Sequence, residues 1–402
     1  MHRILIATLL IASAAAAEKP FVEKEDVFPL DAKHNHASSI LRLPNGELFA
    51  CWYRGSGERT ADDVVIMAAR KPKGAKTWST PFVLADQSGF PDTNPTLFLD
   101  KDQRLWLIWQ TIIANQWESA ITNYRISSDY RKPGVPRWER SDVMLLKPAN
   151  LAERTNEFAA KYNTPERAAY FKRLMEKAND KYFSRMGWMT RAHPLQLPSG
   201  RILMPLYSDG YSFSLVGISD DNGLTWHASE PIIGGGNIQP SFALEKGGTL
   251  VAYMRDNGPS PKRVHVSYSK DNGETWTPAE DTSIPNSGTG LEVIRLQDGR
   301  WLMINNDTEN GRYSLALTIS GDEGKTWKWT RHLELDQRPD QGPDQGKERP
   351  GSFHYPSIVQ APDGAIHASY SVFLNHLPEG QPRKTIRHAH FNLAWVEEGD
   401  AR

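Results

Sequence analysis

The sequence predicts an all-β fold built from a repeated unit, and two interleaved repeats support this prediction. The first repeat has the pattern Ser-x-Asp-x-Gly-x-Thr-Trp, and its three clear copies span residues 219–226, 269–276 and 320–327. The copies begin 50 and 51 residues apart, and a nearly constant period of this size is typical of repeat architectures. Asp, Gly and Trp in this order suit a tight hairpin turn, so we interpret the three segments as structural.

The second repeat is a short β-rich run that ends in a polar turn and leads into an apolar strand. Six such runs open near residues 36, 94, 191, 239, 290 and 355. The strands that follow them are apolar, as in residues 48–52 and 105–109. Six units of four strands each predict a six-bladed β-propeller, in which ring closure leaves only short exposed strand edges.

Residues 150–185 interrupt this strand pattern. They are rich in Ala, Glu, Lys and Arg, and residues 163–166 read as a helix start with Pro165 at the first helical position. We therefore predict a helical insertion at about 150–185, between the second and third blades. A lid over one face of the propeller is one role open to it.

The composition excludes several functional classes. The 402 residues include 47 basic and 48 acidic ones, so no net basic field exists to attract nucleic acid or anionic lipid. Cys51 is the only cysteine, which excludes an intrachain disulfide and a thiolate zinc cluster. The histidines show no metal-site spacing, so we expect no bound metal and no other cofactor.

The N-terminus has the features of an export signal. Residues 1–3 carry positive charge, residues 4–14 are apolar, and residues 15–17 are alanines that form a small-residue cleavage site. The apolar run is too short to span a bilayer. We predict that residues 1–17 are a signal peptide and that residues 18–402 form a single propeller domain. The mature protein is then secreted or periplasmic, without integral membrane association.

The Ser-x-Asp-x-Gly-x-Thr-Trp segments resemble the Asp-box (BNR) repeats of the sialidase (neuraminidase) superfamily. The resemblance covers most of residues 30–395, and it implies a sialidase-like propeller that acts as an exo-glycosidase on a carboxylate-bearing sugar. In that family three arginines bind the substrate carboxylate, a tyrosine is the nucleophile and a glutamate assists it. An aspartate is the acid/base, and the tyrosine nucleophile is a variant of the two-carboxylate scheme of retaining glycosidases.

Several residues match this family pattern. Tyr355 matches the nucleophile, and Arg255 and Arg312 match the second and third arginines. The loop of residues 57–63 resembles the acid/base loop, which makes Asp62 or Asp63 the candidate acid. Four further residues, from the same loop and from the openings of the second and third units, are candidates for binding the substrate in the axial pocket: Arg59, Asn94, Arg191 and His193.

Two positions depart from the family pattern. His36 stands where the first arginine is expected, and Gln239 stands where the glutamate is expected. A glutamine cannot take a proton from Tyr355. A histidine is only partly cationic near pH 7, because its unperturbed pKa is ~6.5.

Three functions therefore remain open. The first is a sialidase-like hydrolase, which we rank first because Tyr355, Arg255 and Arg312 all match. The second is a polysaccharide lyase that cleaves a uronate by β-elimination. In it the two arginines clamp the carboxylate, and either His36 or Tyr355 acts as base and the other as acid. The third is a propeller that binds glycan without catalysis. The expected partner is an acidic oligosaccharide or glycoconjugate.

Overall fold

The computed structural model describes residues 18–341 and 349–400, and the predicted signal peptide lies outside the described residues. In chain order the strands are β1 (Val22–Asp26), β2 (His34–Arg42), β3 (Leu48–Gly55), β4 (Val65–Lys71), β5 (Phe82–Ala85), β6 (Asp92–Leu99), β7 (Leu105–Ile112), β8 (Ala120–Ser127), β9 (Arg140–Val143), β10 (Met189–Thr190), β11 (Leu195–Gln196), β12 (Ile202–Ser208), β13 (Phe213–Ser219), β14 (His227–Ala228), β15 (Asn237–Leu244), β16 (Leu250–Asp256), β17 (Arg263–Ser269), β18 (Glu280–Pro285), β19 (Glu292–Arg295), β20 (Trp301–Asn305), β21 (Ser314–Ser320), β22 (Lys328–Leu335), β23 (Ser352–Gln360), β24 (Ile366–Phe373) and β25 (Lys384–Phe391). The α-helices are α1 (Leu151–Tyr162), α2 (Ala168–Asn179), α3 (Lys181–Arg185) and α4 (Leu393–Glu397). Among the described helices, none combines the length and the apolar character needed to cross a membrane.

The strands form six antiparallel sheets, which are the blades of a propeller. Blades one to five are β2–β5, β6–β9, β10–β14, β15–β18 and β19–β22, and the sixth is β23–β25 together with β1. The inner strands of each blade contact the next blade, and β2 of the first blade contacts β23 of the last, so the blades form a ring. The predicted all-β, six-bladed propeller with a helical insertion is confirmed.

The ring is closed by the two ends of the chain. Strand β1 is the outermost strand of the last blade, where Val22 pairs with Phe391 and Asp26 with Arg387. The N-terminal strand thus completes a sheet that the C-terminal strands begin, and this pairing covers a sheet edge that would otherwise be exposed.

The antiparallel order within a blade separates its loops onto two faces. The start of the first strand and the loop between the second and third strands lie at one face, which we call the upper face. The turns that join the first to the second strand and the third to the fourth lie at the opposite, lower face. The three Asp boxes join β13 to β14, β17 to β18 and β21 to β22, so all three lie at the lower face.

Each Asp box is a hairpin held by its own side chains. In the first box, Asp221 accepts hydrogen bonds from the amide of Thr225 at 2.8 Å and from its hydroxyl at 2.6 Å. The amide of Gly223 donates to Ser219 Oγ at 2.8 Å, and Gly223 has a φ of +81° that a side chain would strain. The same bonds recur in the other two boxes.

The insertion is anchored on two blades by apolar packing. Helices α1 and α2 bury Leu151, Phe158, Phe171 and Leu174 in a core that includes side chains of the second and third blades. The ring of Phe158 meets the ring of Phe213 edge-on, with centroids 5.4 Å apart. Both helices therefore follow the usual amphipathic pattern, with one apolar stripe buried against the sheets.

Candidate active site

Four blades share a distortion near the start of their innermost strand, at the upper face. Where β2, β6, β15 and β23 pair with the next strand, the register shifts. One residue at each shift has a positive φ: Ala37 (53°), Asn94 (46°), Gln239 (56°) and Tyr355 (52°). A β-bulge re-aims a side chain, and non-glycine residues in this conformation are uncommon and cluster at functional sites.

A cavity of about 400 Å³ lies at these bulges. Every blade contributes to its wall, either from a bulge or from the second strand and the loop that follows it. The lining residues are His36, Tyr53, Glu58, Asn94, Trp117, Tyr207, Asp209, Gln239, Arg255, Arg312 and Tyr355. A larger cavity of about 750 Å³ lies between α1 and the fourth blade, and it contains neither Tyr355 nor the two matched arginines. The insertion thus contributes no side chain to the lining of the central cavity.

Tyr355 is held among three arginines. Arg255 Nη1 donates to the Tyr355 hydroxyl at 2.8 Å. The guanidinium carbon of Arg312 lies 5.4 Å from the centroid of the Tyr355 ring, and that of Arg191 lies at the same distance. Arg191 is buried and donates to the carbonyl oxygens of Tyr355 and Pro356. Arg191 therefore supports the strained backbone of Tyr355, while Arg255 and Arg312 are the arginines that line the cavity.

The arginines determine the acidity of the phenol. Burial raises the pKa of Tyr355, but the charges of Arg255 and Arg312 and a hydrogen bond with Gln239 lower it, and the net effect is a lowered pKa. Gln239 Oε1 also lies 3.5 Å from Arg255 Nη1. Gln239 therefore contacts both groups from the position at which the family pattern has a glutamate.

A second polar cluster lies in the first blade, beside Tyr355. His34 and His36 are two residues apart on β2 and so point to the same face of the sheet. His36 pairs across the sheet with Tyr53 on β3, and Glu58 comes from the loop after β3. Glu58 Oε1 lies 3.1 Å from His34 Nε2 and from His36 Nδ1, and it accepts a hydrogen bond from the Tyr53 hydroxyl at 2.9 Å.

Burial and pairing set the charges in this cluster. Burial raises the pKa of Glu58, but hydrogen bonds from His34 and His36 outweigh it and hold that pKa far below its usual range. Burial lowers the pKa of His36 to about 3. His36 is therefore neutral near pH 7 and does not supply the positive charge of the arginine that it replaces in the family pattern.

The structure does not bring Asp62 or Asp63 into the cavity. Both are exposed, and Asp63 binds Lys33 Nζ at 2.8 Å and the amide of Ser56 at 2.8 Å. Neither carboxylate is therefore placed to act as an acid on a ligand in the cavity. Arg59, from the same loop, packs over the indole of the lining residue Trp117, at 5.3 Å from the ring centroid.

Asn94 and His193 have different positions. Asn94 lines the cavity and donates to the hydroxyl of Tyr207 at 3.3 Å. His193 does not line it, because its Nδ1 lies 2.7 Å from Glu292 Oε1 and its Nε2 lies 3.2 Å from Ser39 Oγ. It faces a separate cavity of about 500 Å³, so the expectation that it shares the pocket of Tyr355 is wrong.

Comparison with known protein families supports the resemblance seen in the sequence. The model of the BNR repeat-like domain matches residues 46–150 and 171–368, which is more than half of the chain. The chain belongs to this family of BNR-repeat proteins. The unmatched interval, residues 151–170, contains α1 and the start of α2.

Curated relatives of this BNR-repeat protein include bacterial sialidases. The sialidase of Bacteroides fragilis is 24% identical over 306 residues, which is 70% of this chain and 51% of that protein. The sialidase of Micromonospora viridifaciens is 27% identical over 188 residues, which is 44% of this chain and 25% of that protein. The chain thus spans from a quarter to about half of the length of these relatives.

Solved structures similar to this BNR-repeat protein share its fold. A protein of unknown function from Dyadobacter fermentans has a TM-score of 0.68 at 17% identity, over 92% of this chain and 99% of that one. The leech intramolecular trans-sialidase has a TM-score of 0.67 at 15% identity, over 94% of this chain and 71% of that one. At sequence identities this low, the similarity shows a shared fold.

Several lining residues of this BNR-repeat protein are not found by sequence reasoning: Tyr53, Glu58, Trp117, Tyr207 and Asp209. Asp209 directly follows the apolar strand β12, a position that brings a polar side chain to the upper face. Among the described residues it makes no hydrogen bond or ion pair. Burial raises the pKa of Asp209, while the charge of Arg255 opposes this rise. The spacing of His34 and His36 could have indicated that their side chains lie together, because residues two apart on a strand share a face of the sheet.

Proposed function

We propose that this BNR-repeat protein is a sialidase-like glycosidase that hydrolyses the glycoside of a carboxylate-bearing sugar in the central cavity. The single observation that carries the proposal is the contact between Arg255 and the Tyr355 hydroxyl, 2.8 Å long, in a cavity that Arg312 also lines. Relatives named sialidases support the same reaction class. The predicted signal peptide supports action outside the cytoplasm.

The two arginines favour an anionic ligand. Among the described residues, neither Arg255 nor Arg312 forms an ion pair with a carboxylate. Arg255 donates to neutral oxygens of Gln239, Tyr355 and Asn257. A partly buried charge without a counter-ion is unfavourable. A planar guanidinium binds a carboxylate through two parallel hydrogen bonds, so a sugar carboxylate is the partner that fits these groups.

In the proposed reaction the Tyr355 oxygen attacks the anomeric carbon of the sugar, and the bond to the leaving-group oxygen breaks. The phenol of Tyr355 first gives its proton to solvent water. Arg255 stabilises the negative charge that this leaves on the phenol oxygen, which reduces the need for the carboxylate base that Gln239 replaces. The leaving oxygen takes a proton from Asp209, the lining carboxyl whose pKa burial raises. A water molecule then attacks the anomeric carbon and gives a proton to Asp209. The bond between the sugar and the Tyr355 oxygen breaks, which frees the sugar.

A uronate lyase is the second candidate, and one observation favours it. His36 Nε2 is buried and has no hydrogen-bond partner among the described residues. A free imidazole nitrogen suits removal of the C5 proton of a uronate, while the arginines hold its carboxylate. Elimination needs no tyrosine nucleophile and no glutamate, so the glutamine at position 239 is no obstacle to it.

One assay separates these functions. The purified protein is incubated with a sialyl-glycoside and, separately, with an oligosaccharide whose uronate carries a sugar on O4, the group that elimination expels. Release of the free acidic sugar without new absorbance supports hydrolysis, and new absorbance near ~235 nm from a conjugated product supports elimination. Binding of either glycan without turnover would overturn both enzymatic proposals and support a glycan-binding propeller.

A further inference from the structure

Four side-chain atoms of the first-blade cluster lie within hydrogen-bond distance of one another, and each can donate an electron pair to a cation. They are His34 Nε2, His36 Nδ1, Glu58 Oε1 and the Tyr53 hydroxyl oxygen. The three distances among the nitrogen atoms and Glu58 Oε1 are 3.0, 3.1 and 3.1 Å. The Tyr53 oxygen lies 2.9 Å from Glu58 Oε1, 3.1 Å from His36 Nδ1 and 3.5 Å from His34 Nε2. The four atoms thus mark the corners of a small tetrahedron.

Hydrogen bonds account for only part of this arrangement. The two facing ring nitrogens and the phenol bring at most three protons to the cluster, whereas six atom pairs are in close approach. Three of the six approaches are therefore left without a proton of their own. Where both ring nitrogens donate to Glu58 Oε1, the N–H groups of His34 and His36 also face each other, 3.0 Å apart. A cation at the centre satisfies all four donor atoms at once.

We propose that His34, His36 and Glu58, with the Tyr53 hydroxyl as the fourth corner, bind a divalent transition-metal ion of the Zn²⁺ type. Imidazole nitrogen and carboxylate oxygen are ordinary Zn²⁺ ligands, and a tetrahedron with bonds of about 2.0–2.1 Å has ligand atoms about 3.3–3.4 Å apart. An outward shift of a few tenths of an ångström converts the observed distances into that geometry. The proposal replaces the expectation, drawn from histidine spacing, that no metal binds.

Two other histidine clusters among the described residues match this arrangement less well. His367, His388 and Glu25 form a chain, in which His388 uses Nε2 toward His367 at 3.0 Å and Nδ1 toward Glu25 at 2.9 Å. His265 lies between two carboxylates, with Nε2 3.4 Å from Asp256 and Nδ1 2.9 Å from Asp281. In the first cluster opposite ring nitrogens of His388 are engaged, so its two partners do not meet at a single ion. Ligand atoms of Asp256, His265 and Asp281 do lie near one another, but this group offers one imidazole, whereas the first-blade cluster offers two.

The charges around the proposed site predict how its affinity for Zn²⁺ changes when a neighbouring charge is removed. Glu58 gives the proposed site one negative charge, and Lys384 Nζ lies 3.5 Å from Nδ1, the outer nitrogen of His34. Removing the charge of Lys384 is therefore expected to tighten binding. A bound ion would also add positive charge beside Tyr355, whose ring centroid is 4.6 Å from that of His36. The expectation that the ion assists binding of a sugar carboxylate rests on the function proposed above. Metal binding itself is measured without substrate and does not depend on that function.

The test is a titration of the chelator-treated full-length protein with Zn²⁺ by calorimetry, followed by Co²⁺ for its visible spectrum. We expect one equivalent of Zn²⁺ to bind and Co²⁺ to give the intense bands of tetrahedral coordination. Glu58→Gln, which keeps the shape of the side chain, and His34→Ala should each weaken binding at least ~10-fold, since even outer partners of metal ligands contribute this much. Lys384→Met should strengthen it.

Matched controls locate the ion. His388→Gln and His265→Gln each alter a buried histidine that contacts a carboxylate, and both should bind Zn²⁺ as the unaltered protein does. Circular dichroism without metal verifies that each variant is folded, and added Zn²⁺ should raise the melting temperature only where binding persists. Absence of stoichiometric binding, or loss of binding in His265→Gln but not in Glu58→Gln, would overturn the proposal. Either result leaves the glycosidase assay free to succeed or fail separately.

Discussion

The lower and upper faces of the propeller carry two different kinds of repetition. At the lower face the three Asp boxes repeat both backbone and side chains, and each Asp is satisfied by the Thr four residues later. At the upper face four bulges repeat the backbone, with φ between 46° and 56°, but carry Ala37, Asn94, Gln239 and Tyr355. The four bulges share a backbone conformation but differ in side chain, and they form the site. The Asp boxes share both backbone and side chains, and they stabilise the fold.

The difference extends to hydrogen bonding. The repeated Ser, Asp and Thr side chains of each box form hydrogen bonds within the same hairpin. Among the described residues that line the cavity, His36 Nε2 has no hydrogen-bond partner, and Asp209 makes no hydrogen bond or ion pair. Unpaired polar groups are unfavourable for folding, so those that line the cavity are suited to serve a ligand. Four changes can break or sharpen this comparison.

The largest expected effect is that of Tyr355→Phe at the upper face. The hydroxyl is the reacting group in one mechanism and a proton carrier in the other, so kcat should fall by roughly 10²–10⁴ with little change in KM. The ring and its packing against Arg191 and Arg312 are retained, so the melting temperature should change little. An active, stable phenylalanine variant would make Tyr355 a packing residue and remove the contrast between the faces.

The second effect belongs to the lower face and compares two glycines with similar φ. A Cβ at Gly223 (φ +81°) would lie 2.1 Å from Cη2 of Trp106, whereas at Gly248 (φ +89°) no neighbouring atom of the described residues lies within 4 Å. Gly248→Ala should therefore cost only the conformational strain, about 1–2 kcal/mol. Gly223→Ala should cost about 1–3 kcal/mol more through overpacking. Denaturant unfolding measures both, and equal losses would show that the box does not pack against the neighbouring blade.

The third effect is that of Arg312→Lys, which keeps the charge and removes the planar fork. A bidentate contact to a carboxylate is lost, so KM for an acidic substrate should rise about tenfold, equivalent to about 1.4 kcal/mol. Arg201→Lys, at the lower face and paired with Asp220 at 2.8 Å, is the control and should leave KM unchanged. If both variants behave alike, Arg312 does not contact the substrate.

The smallest effect is a pH dependence in a box. Hydrogen bonds from Thr225 lower the pKa of Asp221 to about 2, against about 3.9 for an unfolded chain. Because the folded pKa is the lower one, the contribution of Asp221 is complete above about pH 4 and is lost as the pH falls through 2. Solvent screens this partly exposed group, so the loss should be below about 1 kcal/mol. Asp221→Asn should remove this part of the acid dependence of stability, with activity at pH 7 unaltered.

The two faces also differ in how far the sequence predicts them. The number of blades and the hairpins follow from the repeats, because identical residues at a constant period fold identically. The site follows only in part. Asp63 is held on the surface by Lys33, and Glu292 holds His193 outside the cavity, contacts that no local pattern contains. Glu58 and His34 are 24 positions apart, and the contact between them depends on how the loop after β3 folds, which no local pattern specifies.

The central claim is that the cavity of Tyr355, Arg255 and Arg312 recognises a carboxylate and acts on the sugar that bears it. The most direct measurement compares turnover of an acidic glycoside with that of its carboxyl-reduced analogue, for the unaltered protein and for Arg312→Ala. We predict a strong preference of the unaltered protein for the acid, and loss of most of that preference in the variant. Equal turnover of the acidic and reduced substrates by the unaltered protein would contradict the account. Both the hydrolase and the lyase proposal require that the pocket binds the carboxylate.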